Sequence, residues 1–227
     1  MLNYGWILII SGLLLCSAQA PAAYPSDRPR DMAIIVNFPE EPIAIPHYRS
    51  FWNSAGHLID FNRDGFLMVG HTGVILVNGV NGSLQYFDLG RYDDRHDLMG
   101  PRPDFYGVVR SKRNVPELKL DIVARIENGW ITNLEEILVH LGLTPLLRKY
   151  GRLDAAVVYQ LDLKKMVKKA IDFEERGFLF YGAPAHIYCT SFVRKVIRAG
   201  GQGFRASVYT GTQTLQHIRK RHPQLKE

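Results

Sequence analysis

Residues 65–92, GFLMVGHTGVILVNGVNGSLQYFDLGRY, constrain the fold more than any other stretch. Two runs rich in β-branched and aromatic residues flank NGVNG. Such side chains pack well on a pleated surface, and Asn and Gly supply a tight turn between strands. The reading is a β-hairpin whose first strand lies in the centre of a sheet. FYGVVRS, LKLDIVARI and DAAVVYQL are expected as further strands. A helix is expected near Asn133 in TNLEEILVHLGL, where Asn133 and Glu136 have capping-box spacing. DLKKMVKKAIDFEERG carries an apolar helical stripe at Met166, Val167, Ala170 and Ile171, with Lys164, Lys165, Lys168 and Lys169 off that stripe as a solvated face. Two more helices follow, at CTSFVRKVIRAGG and around TQTLQHIRKRH. Strands first and mixed elements after them point to an α+β domain.

A chain of 227 residues suits one domain of moderate size, and 46% hydrophobic with 22% charged residues argues against disorder. Trp6 to Cys16 is nearly unbroken apolar sequence followed by small residues, the pattern of a secretory signal over residues 1–20, although no Lys or Arg precedes Arg28. The alternative is a short uncleaved anchor. Residues 21–46 hold six prolines and read as an extended arm with a short apolar stretch, MAIIVNF. Residues 47–227 then form the domain. The expected location is secreted or periplasmic.

Removal of the signal would leave Cys189 as the one cysteine, so no intrachain disulfide could form. A lone thiol in an exported protein is a reactive group, an intermolecular bridge or a small buried hydrophobe. Gly182 and Pro184 break the chain before it, and Gly200-Gly201 follow the helix it opens. Phe192, Val193, Val196 and Ile197 form one apolar face, so Cys189 sits in the first turn of a helix held against a core. Unpaired N–H groups and the helix dipole favour a thiolate there and could also hold an oxyanion.

A thiolate nucleophile needs a base. Of the eight histidines, His96, His217 and His222 lie in charged, solvated stretches, and His140 falls within a helix. His186 is in the loop just before the cysteine helix. His71 opens the central strand, with Gly73 leaving space beside it, and could face a helix start.

VGHTGVILVNGVNGSLQYFDLGRY followed much later by YCTSFVRKVIRAGG resembles the circularly permuted NlpC/P60 proteins, papain-like cysteine hydrolases that include the lecithin retinol acyltransferase-like branch. The permuted order places the His strand before the Cys helix, as here, and the resemblance spans roughly residues 66–201. Ser191 departs from the Glu or Thr that relatives often carry two residues after the cysteine. The resemblance implies a central antiparallel sheet packed against the Cys-bearing helix. It also implies a Cys189 nucleophile, a His71 base and a third polar group on the strand after the His strand. Asp88 is favoured for that group, since a carboxylate fixes the tautomer and stabilises imidazolium. Gln85 is the alternative, because one residue of register slip exchanges the faces of a strand.

The sequence calls for no cofactor and no metal. DFNRDG, with Asp60, Asn62, Asp64 and Gly65, matches the first half of a calcium loop, but His71 stands where the twelfth-position Glu belongs, and a polar turn is the reading. A net charge of +6 favours anionic partners. The basic tail IRKRHPQLK lacks the aromatics of a nucleic-acid surface, so no nucleic acid is expected. Three functions remain: hydrolysis of amide bonds in peptidoglycan peptides, acyl transfer or hydrolysis on lipid with peripheral association to membrane or wall, and a binding or effector domain without catalysis.

Overall fold

The computed structural model describes residues 31–38, 42–44, 66–68, 71–90, 92, 106–144, 147, 153–177, 179–180, 188–203 and 215. The expected signal, the DFNRDG turn, the histidines at 47, 57, 96, 186, 217 and 222 and most of the last expected helix lie outside them.

Six strands form one sheet. In chain order they are β1 (Asp31–Phe38), β4 (His71–Val77), β5 (Leu84–Gly90), β6 (Tyr106–Ser111), β9 (Asp154–Leu161) and β10 (Leu179–Phe180). Their spatial order is β10-β6-β5-β4-β1-β9, and every neighbouring pair is antiparallel. Two smaller ribbons pair β2 (Pro42–Ala44) with β3 (Phe66–Met68), and β7 (Ile126–Glu127) with β8 (Trp130–Ile131). The helices are α1 (Leu134–Leu143), α2 (Leu163–Glu174) and α3 (Cys189–Ala199).

Both faces of the sheet are covered. Val74 and Leu76 of β4, with Phe87 and Leu89 of β5, pack against Met166, Ala170 and Phe173 of α2 and Phe192, Val193, Val196 and Ile197 of α3. On the opposite face, Ile75, Val77 and Tyr86 pack against Ile137 and Leu141 of α1. A strand buried on both faces reads as an unbroken apolar run. That is why MAIIVNF, expected as part of an arm ahead of the domain, is instead β1, a central strand with Met32 to Phe38 buried between β4 and β9. The four apolar residues of α3 are all fully buried, each worth about 1.5–3 kcal/mol relative to exposure. They anchor the helix that carries the thiol.

Two local expectations are corrected. LKLDIVARI is not a ladder strand. It begins on the last residue of a 3-10 turn at Pro116–Leu118 and ends on the first residue of β7, and between them its backbone bonds elsewhere: Ala124 N–H donates to Gly82 O, and Arg125 N–H donates to the Asn133 carboxamide oxygen. That second bond also removes the expected capping box, because the Asn133 oxygen that would cap α1 is committed to Arg125. By contrast α2 is capped in the ordinary way, its Asp162 carboxylate accepting from Lys165 N–H at 3.0 Å.

Candidate active site

The hairpin register decides which side chains meet. Gly73 lies opposite Asp88, and Val77 opposite Leu84. Residues 71, 73 and 75 therefore share a face with 84, 86 and 88. Gln85 lies opposite Leu76, on the other face. His71 Nε2 is 3.1 Å from Asp88 Oδ2, both side chains buried. Gly73 has a steric role here: a Cβ on it would lie 2.6 Å from the Tyr86 hydroxyl. That hydroxyl donates to Asp88 Oδ2 at 2.8 Å. The space beside His71 is thus filled by Tyr86.

Asp88 is directly opposite Arg110 across β5 and β6. The guanidinium is fully buried, and its Nε and Nη2 donate to Oδ1 at 3.1 Å and Oδ2 at 2.7 Å. The same guanidinium lies 3.6 Å from the ring centroid of Tyr92. Gly90 permits this, since a Cβ there would come within 2.5 Å of the Tyr92 ring. The Tyr92 hydroxyl lies 3.0 Å from His71 Nε2. Phe38, opposite His71 on β1, stacks on the imidazole at 5.8 Å between centroids.

Cys189 is buried, in no disulfide, and a hydrogen-bond partner of His71. His71 opens β4 and Cys189 opens α3, so each is held at the first residue of an element whose remainder is locked in the core. Ser191 has a local role of its own at the start of α3. Its hydroxyl accepts from Tyr188 N–H at 2.8 Å and donates to Tyr188 O at 3.0 Å. The third helical residue thereby satisfies the N-cap backbone, the job a Glu does in a capping box.

Burial by itself would lower the pKa of His71, but hydrogen bonds to Asp88 and Cys189, with their negative charges, outweigh it and raise the value to about 9. Burial would likewise raise Asp88, yet the Arg110 charge and the His71 hydrogen bond hold its carboxyl well below the usual range. Arg110 stays charged at any accessible pH, its burial overridden by Asp88. An ionised carboxylate only accepts, so Nε2 carries the hydrogen it presents to Asp88. Nδ1 is then the nitrogen available to the thiol.

The structure brings Cys189, His71 and Asp88 together and leaves Gln85 half-buried on the other face. His140, within α1, accepts from Asp121 N–H on the surface at 3.3 Å. Arg110, Tyr86 and Tyr92 were not singled out from sequence. Arg110 had a signal: a guanidinium inside an apolar strand requires a buried counter-ion. No cluster of metal-ligating side chains occurs among the described residues.

Sheet and helices make a mixed α+β protein in which a thiol, an imidazole and a carboxylate converge. The chain belongs to the type VI secretion system effector TseH-like family, whose model matches residues 33–203. It is thereby a member of a family of secreted effectors. The crystal structure of the type VI secretion system effector TseH is similar in fold, with a TM-score of 0.52 at 21% identity, covering 85% of this chain and 88% of that one. Comparison with curated proteins gives no match.

Proposed function

We propose that this effector is a papain-like cysteine hydrolase of the permuted NlpC/P60 type that cuts amide bonds in peptidoglycan peptides. The observation that carries this reading is the single imidazole shared between a thiol and a carboxylate, all three buried. His71, with its pKa raised to about 9, is protonated at neutral pH and favours a thiolate on Cys189. The thiolate attacks the amide carbon. The oxyanion forms beside the backbone N–H groups at the start of α3. Imidazolium gives its proton to the departing amine as the C–N bond breaks, leaving a thioester. Water then adds to the thioester, His71 takes its proton, and the acid and thiolate are released. Asp88 holds the ring throughout and stabilises its charge.

The wall is favoured as substrate because the chain is an effector with a net charge of +6, and three of its cations gather around one ring near α2 and α3. Lys169, Arg176 and Lys195 lie 4.8, 5.4 and 5.8 Å from the centroid of the Phe173 ring. The test is release of peptide fragments from purified peptidoglycan, run beside a short-chain acyl ester. Wild type should release fragments, and Cys189→Ala should release none while keeping its fold. Full activity in Cys189→Ala rejects the mechanism, and turnover of the ester alone moves the substrate to lipid.

A further inference from the structure

A pair of Asp88 and His71 needs no third charge in order to form, yet Arg110 is fully buried beside it. Burying a guanidinium is costly unless its geometry is well satisfied. Its contacts are specific. Two of its nitrogens take the two oxygens of Asp88 side-on, and its flat face lies on Tyr92. Asp88 Oδ2 and the Tyr92 hydroxyl are the two groups at His71 Nε2, at 3.1 and 3.0 Å. One side chain therefore holds both groups that grip that nitrogen.

Asp88 is also held by the Tyr86 hydroxyl on Oδ2, but one hydrogen bond leaves the plane of a carboxylate free to turn. The terminal torsions of Asp and Tyr are broad. A two-point fork sets the plane of the carboxylate and so aims Oδ2 at the imidazole. A stacked guanidinium sets the swing of the Tyr92 ring and so the height of its hydroxyl. Lysine offers the same charge with neither fork nor face. Charge balance alone would be met by either residue.

We propose that Arg110 is a positioning residue for His71. By clamping Asp88 and Tyr92 together it keeps the hydrogen on Nε2 and turns Nδ1 to the thiol. The effect on turnover rests on the hydrolase reading, but the effect on the imidazole does not.

The experiment is carried out on the full chain with ring-labelled histidine. NMR follows the tautomer and titration of His71 in wild type, Arg110→Lys, Tyr92→Phe and Tyr92→Leu, beside turnover. In Arg110→Lys the neutral ring should become a mixture of tautomers and its titration midpoint should fall from about 9 toward 6.5, as the contacts that raise it loosen. Its kcat should drop about 10–100-fold with KM little changed, the usual cost of a misplaced catalytic group. Tyr92→Phe keeps the ring under the guanidinium and loses one hydroxyl, so it should cost about fivefold, one hydrogen bond's worth. Tyr92→Leu should mix the tautomers again. A wild-type tautomer and midpoint in Arg110→Lys would reduce Arg110 to a counter-charge and overturn the proposal. Should Arg110→Lys fail to fold, an unmoved tautomer in Tyr92→Leu overturns it instead. Because the NMR arm needs no substrate, loss of the hydrolase reading through an active Cys189→Ala leaves it standing.

Discussion

Asp88→Asn keeps the shape of a buried side chain and deletes one charge. In the folded chain that charge faces Arg110 at 2.7 and 3.1 Å and His71 at 3.1 Å, with all three groups buried. An amide has one accepting oxygen, and its NH2 would point at a donor. Removing one partner of a buried ion pair costs about 3–5 kcal/mol, because the other charge is left uncompensated. Total stability of about 5–15 kcal/mol makes that a large fraction. At about 2–4 °C per kcal/mol for a chain of this size, the unfolding midpoint should fall by about 10 °C. Turnover should fall by orders of magnitude as well, since an amide NH2 facing Nε2 favours the wrong tautomer. Arg110→Met alone should cost a similar amount of stability. The double variant Asp88→Asn/Arg110→Met removes both charges and should recover most of the stability, but none of the turnover. Thermal and denaturant unfolding of the four proteins, with peptide release measured beside them, completes the cycle. A cost below about 1 kcal/mol for Asp88→Asn, or strict additivity in the double variant, would show that the buried pair does not have the energetics argued here.

His71 binds its proton more tightly folded, at about 9, than in its ordinary state at 6.5. Its contribution is full below 6.5 and lost as pH rises through about 9, so the wild-type unfolding midpoint should fall more between pH 7 and 10 than that of His71→Asn. Equal falls would refute the shift. Gly73→Ala places a methyl 2.6 Å from the Tyr86 hydroxyl and should cost about 1–3 kcal/mol in denaturant unfolding, with lost turnover as Tyr86 leaves Asp88. Gln85→Ala should keep both stability and peptide release near wild type, and a large loss of peptide release would mean that the wrong face of β5 was chosen.

What was legible in the sequence was local. The hairpin announced itself by composition and its turn, the α2 stripe and the α3 face by period, and the pairing of a thiol at a helix start with a histidine at a strand start rested on motif order. The register between Asp88 and Gln85 was not legible, because it is set by the loop. Asn78 N–H donates to Ser83 O, the Asn78 side chain accepts from Val80 N–H and Asn81 N–H, and Gly82 turns at φ +69° against the backbone of Ala124. That last contact comes from 42 residues away, Gly82 to Ala124, beyond the reach of a turn pattern. β1 was hidden because a strand covered on both faces shows no alternation, and its flanking prolines resembled an arm. LKLDIVARI misled in the opposite sense: it has the composition of a strand, but its polar partners are a turn and a side chain.

The pairing of β1 with β9 joins Asp31 to Leu161, and α3 follows later still. As the chain leaves the ribosome, base and carboxylate are made long before the thiol. Any product broken off before residue 189 has the imidazole and the carboxylate but lacks the thiol of Cys189. The sheet itself gains its two edge strands late, β9 beside β1 and then β10 beside β6, so its completion waits on pairings between residues far apart in sequence. On the hydrolase reading proposed above, the order of synthesis withholds the nucleophile until the chain has passed residue 189.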